Sequence, residues 1–212
     1  MKSLPEVLQK QIKLSRIKEI PKGQIIFYEG DSPIEVFIIK EGVVKIYNID
    51  DNGNEKILHL VSSPAVIPFT FFTGNNKPTQ WFYSALTDCD LYLLPREQLQ
   101  SIEKNNPEVP VFLMNWFSKE VHELLARLDS LGKTNVSDKL KAALKFLAVR
   151  HSKQRRSGWS RVLFPVNHQL LADMIGMTRE STTTAMKELA DKKIIRNPKL
   201  TILEIDTKKL ME

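Results

Sequence analysis

The chain has 212 residues, of which 42% are hydrophobic and 26% charged, with a formal net charge of +6 at pH 7. That length allows one large domain or two modest ones with real cores. No run of about 18 apolar residues exists to span a bilayer, the first residues lack a signal peptide's apolar core, and the single cysteine, Cys89, excludes an internal disulfide and an all-cysteine metal site within one chain.

From Ile25 to Leu94 the sequence reads as short strands cut by turns. "QIIFY", "VFIIK", "VVKIYNI", "EKILHLV", "WFYSAL" and "LYLL" are rich in β-branched and aromatic residues. Turn compositions such as "EGDSP", "DDNGN" and "TGNNKP" separate them. In "VVKIYNIDDNGNEKILHLV" Asn52-Gly53 is expected to supply the positive φ angles of a hairpin turn. Short strands at near-regular spacing imply a barrel or jelly roll. Within it Cys89 reads as a buried strand residue, and Phe69, Phe71, Phe72, Trp81, Phe82 and Tyr83 as core, with a pocket for an apolar effector as the alternative. Haem is a weaker alternative, because His59 and His122 are isolated and a lone histidine is usually packed or solvated.

The character changes at Asn106-Pro107. Met114, Phe117, Val121, Leu124, Leu128 and Leu131 follow at spacings of 3, 4, 3, 4 and 3, the seam of a helix pair. Phe112, Leu113, Trp116 and Leu125 fall off that seam. The helix therefore has one apolar face for a partner and another for its own barrel; the alternative is a helix that packs on the barrel alone. "LGKTN", with Gly132, reads as a hinge. Beyond it the charge balance reverses: residues 1–132 hold 14 Lys and Arg against 17 Asp and Glu, whereas residues 133–212 hold 17 against 8. The asymmetry suggests that the C-terminal part meets a polyanion, and charge alone leaves nucleic acid, an anionic membrane surface and a merely soluble basic domain all open.

A basic amphipathic helix is expected from Ser137 to about His151, with Leu140, Leu144, Leu147 and Ala148 on one face. "SKQRRSGWSR" reads as a polar basic loop and "VLFPV" as a short strand. In "HQLLADMIGMTRESTTTAMKELADKKII" two short helices then meet at Gly176. Asn167 can cap the first, which buries Leu170, Leu171, Met174 and Ile175. Gly176 sits where a left-handed residue ends a helix. Thr178 can cap the second, whose apolar face carries Ala185, Met186 and Leu189. A hairpin around Asn197-Pro198 completes a winged helix-turn-helix. On the second helix Thr182 falls on the buried side, bonded back to the preceding turn. Thr183 and Thr184 fall on or beside the face of Arg179 and Glu180. Arginine can bond guanine O6 and N7 together, glutamate can accept from cytosine N4, and threonine offers a hydroxyl or touches a thymine methyl.

The stretch "QLLADMIGMTRESTTTAMKELADKKII" resembles the helix-turn-helix of the cyclic-AMP receptor protein / fumarate–nitrate reduction regulator (CRP/FNR) superfamily. "KGQIIFYEGDSP", "VFIIKEGVVKIY" and "DDNGNEKILHLV" look like its cyclic-nucleotide-binding-type roll. The resemblance implies an α+β fold: an N-terminal double-stranded β-roll (jelly roll) over residues 1–106, a dimerisation helix and hinge over 107–132, and a winged helix-turn-helix over 133–212. It implies base contacts at Arg179, Glu180, Thr183 and Thr184. It also implies phosphate contacts at Asn167, His168, Gln169 and Lys187, and a homodimer through Met114, Phe117, Val121, Leu124, Leu128 and Leu131. The chain departs from the family at Thr184, where a second arginine is common, so the operator should differ. The nucleotide cassette departs further: Pro68 and Phe69 replace Gly-Glu, while Thr79 and Gln80 replace the arginine and its hydroxyl neighbour. Without that arginine nothing neutralises a cyclic phosphate, and cyclic AMP is rejected as the effector.

The expectation is a cytoplasmic, non-enzymatic regulator that binds double-stranded DNA as a homodimer. It has no cofactor, no metal and no membrane partner, and RNA polymerase is a further candidate partner. No nucleophile–base pair, phosphate loop or metal-ligand spacing supports catalysis. The competing class is a ligand-responsive signalling module whose helix-turn-helix mediates protein contacts.

Overall fold

A computed structural model describes residues 4–73, 77–155, 158–196 and 202–211, with residues 73 and 211 in backbone only. The chain divides into two compact units, residues 1–48 with 57–122 and residues 49–56 with 123–212.

The first unit opens with α1 (Glu6–Leu14), whose Leu8 and Ile12, four residues apart, share one buried face. The strands follow as β1 (Ile17–Ile20), β2 (Ile25–Phe27), β3 (Glu35–Glu41), β4 (Val43–Ile49), β5 (Glu55–Ser62), β6 (Val66–Ile67), β7 (Phe82–Ala85) and β8 (Cys89–Pro95). A 3₁₀ turn, Phe69–Thr73, lies between β6 and β7. They make two four-stranded sheets, ordered β1-β8-β3-β6 and β2-β7-β4-β5, with antiparallel pairing. Val36 and Ile39 from one sheet and Val44, Ile46 and Tyr83 from the other share a single core. This is the expected β-roll. Cys89 is buried as expected, and burial pushes its thiol pKa up. Helix α2 (Arg96–Asn105) adds Leu99, and α3 (Glu108–Leu131) adds Val109, Leu113 and Trp116 to the core.

The β4–β5 connection differs from expectation in its turn. Only Gly53 takes a positive φ, +80°; Asn52 does not, because the loop is longer than a two-residue turn. The Gly53 N–H donates to the Asp50 carbonyl at 2.9 Å and the Asp50 N–H to the Asn54 carbonyl at 2.9 Å, closing a turn with a glycine bulge. Asp50 Oδ1 accepts the Asn52 and Asn54 N–H groups, both at 2.9 Å.

In the second unit α4 (Val136–Arg150) starts at Asn135, whose Oδ1 accepts the Ser137 N–H at 2.7 Å. Its buried face of Leu140, Ala143, Leu144, Leu147 and Ala148 packs on α5 (His168–Ile175) and α6 (Arg179–Asp191). The stretch read as a basic loop is instead a hairpin of β9 (Ser152–Gln154) and β10 (Trp159–Val162). Consequently "VLFPV" forms no strand beyond Val162. Strand pairing, not local composition, set the boundary: Ser160 alternates with its neighbours and is buried. With β11 (Ile195–Arg196) and β12 (Glu204–Asp206) these strands form an antiparallel sheet ordered β11-β12-β10-β9, and α7 (Thr207–Met211) follows. The turn expected around Asn197-Pro198 lies outside the described residues.

Helix α3 carries its exposed apolar residues in a register offset from the expected seam. Val111, Met114 and Val121 are exposed in the first unit, Leu125 and Leu128 in the second. Phe117 instead packs against the roll's own core, and Leu124 and Leu131 are half-buried. Sequence spacing had put Leu125 off the seam, but it is 59% exposed. Heptad spacing is satisfied equally by two neighbouring registers, and the aromatic contacts of Phe117 decide between them. Among the described residues no helix is long and apolar enough to cross a membrane.

Candidate DNA-reading surface

Helix α5 begins where Asn167, in an extended conformation, accepts the Leu170 N–H on Oδ1 at 2.7 Å. Leu170, Leu171, Ala172, Met174 and Ile175 turn inward. Gly176, at φ +64°, ends the helix, and nothing lies within 4 Å of where its Cβ would be. Its glycine is therefore required by backbone conformation and not by crowding. Thr178 Oγ1 accepts the Ser181 N–H at 3.2 Å and starts α6. Arg127 on α3, half-buried with its pKa brought down to about 10 by desolvation, donates through Nη2 to the Met174 carbonyl at the end of α5. Sequence reasoning missed this contact, since nothing local marks Arg127 among surface cations.

On α6 the buried residues are Thr182, Ala185, Met186 and Leu189. Thr182 is fully buried and donates its hydroxyl to the Thr178 carbonyl at 2.9 Å, as expected. The same geometry repeats in its neighbours: Thr183 donates to Arg179 O at 2.8 Å and Thr184 to Glu180 O at 3.2 Å. The threonine run stays helical because each hydroxyl finds a carbonyl four residues back. Arg179, Glu180, Thr184 and Lys187 are exposed, whereas Thr183 is half-buried.

His168 lies against α6. Its Nδ1 is 2.8 Å from Thr183 Oγ1, which is also 2.8 Å from Arg179 O; with the hydroxyl proton on that carbonyl, the imidazole is the donor. Nε2 is left bare, buried and without a hydrogen-bond partner among the described residues. A proton there would have no acceptor, and the pKa is accordingly lowered by burial, then by the nearby charges of Arg179 and Lys187. Gln169 Nε2 donates to Asp173 Oδ1 at 2.7 Å. The structure thus gathers Asn167, His168, Arg179, Thr183 and Lys187 into one neighbourhood. The side chains of Asn167, Gln169 and Thr183 are all engaged locally.

In the first unit the cassette positions are filled from within. Phe69 packs edge-on to Trp116 and Phe117, with centroids 5.9 and 6.2 Å away, and its N–H donates to Tyr83 Oη at 3.2 Å. Phe72 adds contacts to the same two rings at 5.6 and 5.2 Å. Burial pushes the Tyr83 phenol up to about 12. Thr79 is 2% exposed and donates its hydroxyl to the Tyr28 carbonyl at 2.6 Å. His59 is buried with its Nε2 2.7 Å from Glu120 Oε2, and His122 is exposed.

A roll followed by a helix-turn-helix and a small sheet defines a two-part class of protein, and comparison with known families names both parts. Residues 17–106 match the cyclic nucleotide-binding domain and residues 139–212 the Crp-like helix-turn-helix domain. The chain is similar to the global nitrogen regulator of Nostoc sp. (strain PCC 7120), at 23% identity over 180 residues, 84% of this chain and 80% of that one. It is also similar to the HTH-type transcriptional regulator ArcR of Staphylococcus epidermidis, at 25% identity over 187 residues, 84% and 77% of the two chains. A CRP/FNR-family transcriptional regulator of Thermus thermophilus shares the fold with a TM-score of 0.74 at 24% identity, over 92% of this chain and 96% of that one. The chain belongs to the CRP/FNR superfamily.

Proposed function

We propose that the chain is a sequence-specific, DNA-binding transcription regulator that acts as a homodimer on a near-palindromic operator. The observation that carries this reading is the division of α6 into two faces. Thr182, Ala185, Met186 and Leu189 hold it to the domain, while Arg179, Glu180, Thr184 and Lys187 stand outward. In the major groove Arg179 would take guanine and Glu180 cytosine. Thr184, its proton spent on Glu180 O, would offer a lone pair or its methyl. Thr183 would act through His168 unless their bond opens. Backbone N–H groups at the start of α5, at His168 and Gln169, would meet phosphate beside the Asn167 cap, with Lys187 as a further phosphate contact.

Residues 1–106 would form the sensor, 107–132 the dimerisation helix and hinge, and 133–212 the DNA-binding domain. The interface would use Met114, Val121 and Leu128 from the expected seam, with Val111 and Leu125 in place of Phe117, Leu124 and Leu131. Half-sites would then lie a whole number of helical turns apart, about 34–36 Å per turn. Cyclic AMP is not the effector in this reading, the protein works in the cytoplasm, and RNA polymerase is a further partner.

Selection from a random duplex library, with no ligand added, tests it. A two-fold symmetric motif is expected, and Arg179→Ala should erase preference at its G·C position, about 1–3 kcal/mol per half-site, while weak salt-sensitive binding persists. Recovery of no motif with or without cell extract would overturn the reading.

A further inference from the structure

The three threonines of α6 differ in how far their hydroxyls are committed. Thr182 is fully buried and bonded back to the Thr178 carbonyl. Thr184 is exposed, and its hydroxyl donates to Glu180 O at 3.2 Å. Thr183 is half-buried and takes a second partner from another helix: its Oγ1 lies 2.8 Å from Arg179 O and 2.8 Å from His168 Nδ1. A hydroxyl has one proton and two lone pairs. With the proton on Arg179 O, the imidazole N–H fills a lone pair; in the other tautomer the hydroxyl gives its proton to Nδ1. In both cases the oxygen is held between two groups of the protein.

Its place on the helix makes this commitment matter. Thr183 stands four residues after Arg179 and four before Lys187, so the three share one row of α6. Arg179 and Lys187 are exposed. Burial lowers the His168 pKa first and the charges of these two cations lower it further, so a neutral ring stands beside the row. In a helix a threonine side chain divides between two χ1 rotamers, because its hydroxyl can bond a carbonyl one turn back. The His168 contact selects one of them. It turns the oxygen toward α5 and leaves the Cγ2 methyl for whatever lies along the row.

We propose that His168 is a positioning residue for base recognition: by holding the Thr183 oxygen, it makes Thr183 a reader of the thymine C5-methyl group. The inference rests on the reading of α6 as the base-reading helix. Thymine shows a methyl group in the major groove, and a threonine methyl is a fitting apolar contact for it. A base that seeks a hydrogen bond from Thr183 would meet an oxygen already used twice. Thr184, whose hydroxyl bond among the described residues is the longer one to Glu180 O, is the threonine left for that role. Thr183 stands one turn of α6 beyond Arg179, a rise of about 6 Å. At about 3.4 Å per base step, the thymine should fall within about two base pairs of the guanine taken by Arg179.

The test is binding of the full-length protein to the selected operator with each thymine replaced in turn by deoxyuridine, which deletes only the C5-methyl. At one thymine per half-site binding should weaken about fourfold, and about sixteenfold with both half-sites replaced, as for one methyl group returned to water. Thr183→Ser keeps the hydroxyl, lacks the methyl and should bind thymine and uracil duplexes equally. Thr183→Val should keep the preference for thymine. His168→Leu fills the ring's place without a hydrogen-bonding group, and the preference should fall below about twofold as both Thr183 rotamers return. His168→Asn can set an amide group near the Nδ1 position and should restore it, which packing alone would not do. His168→Ala replaces the leucine variant if that one fails to fold. Full thymine preference in folded His168→Leu or Thr183→Ser, or no restoration in His168→Asn, would overturn the proposal. So would a wild type indifferent to uracil throughout; a G·C preference that Arg179→Ala erases would leave base reading intact. A wild-type chain that selects no motif would overturn base reading and this inference together.

Discussion

The stretch from Pro68 to Tyr83 and the stretch from Thr178 to Asp191 spend their side chains in opposite directions. In the first, Phe69 and Phe72 fill the space beside Trp116 and Phe117, and the Thr79 hydroxyl is consumed by the Tyr28 carbonyl. Thr70 and Thr79 are buried there, while Lys77 and Gln80 stand exposed. In the second, one face of a helix is held by Thr182, Ala185, Met186 and Leu189, which frees Arg179, Glu180, Thr184 and Lys187 for something outside. The first domain matches the cyclic nucleotide-binding domain, yet its cassette positions Phe69 and Thr79 are engaged by the domain's own residues. The aromatic side chains at and beside these positions pack with Trp116 and Phe117 against the core of the roll.

The largest effect should come from emptying the first stretch. Phe69→Ala should destabilise the protein by about 3 kcal/mol in denaturant unfolding, through lost transfer energy and a cavity beside Trp116. Millimolar cyclic AMP should leave the melting temperature of the wild type unchanged; a concentration-dependent rise would break the comparison outright. Next in size is Arg127→Met, which removes a desolvated donor from the Met174 carbonyl and should cost about 1–3 kcal/mol. If it costs nothing, the frame that presents α6 does not depend on α3 at this point.

A smaller effect separates holding from reading within α6. Thr182→Val keeps the buried volume, and the Thr178 carbonyl retains the Thr182 N–H at 3.1 Å. The cost should stay under about 1 kcal/mol with DNA preference unchanged. A shift in preference would place Thr182 among the readers. The subtlest effect is a pH dependence. The His168 pKa is lowered from 6.5 in the fold by burial and by Arg179 and Lys187. The unfolded chain therefore takes up a proton first, and His168 contributes stability above pH 6.5 that is lost as pH falls toward the folded value. His168→Gln should flatten that slope in urea titrations below pH 6.5. An identical slope in both proteins would mean that another group titrates there.

Much of this was legible in the chain itself wherever the physics is local. Asn167, Gly176 and Thr178 mark helix ends through bonds and φ angles that span three or four residues, and each does what its type and position imply. Thr182 reads correctly for the same reason, since helical periodicity alone sends it inward and its hydroxyl bonds one turn back. The departure at Pro68, Phe69 and Thr79 was visible as a missing arginine, though what filled the place was not. Tertiary structure decided the rest. It chose the exposed register of α3, because Phe117 is held by Phe69 and Phe72 from a turn some 45 residues earlier. It also turned a basic loop into a hairpin and set Glu204 opposite both Arg196 and Arg161. Glu204 stands between Leu203 and Ile205 in the sequence, and only the pairing of strands more than 40 residues apart shows which charges surround it. Local rules carry no information about such partners, since strand pairing places residues by register and not by distance along the chain.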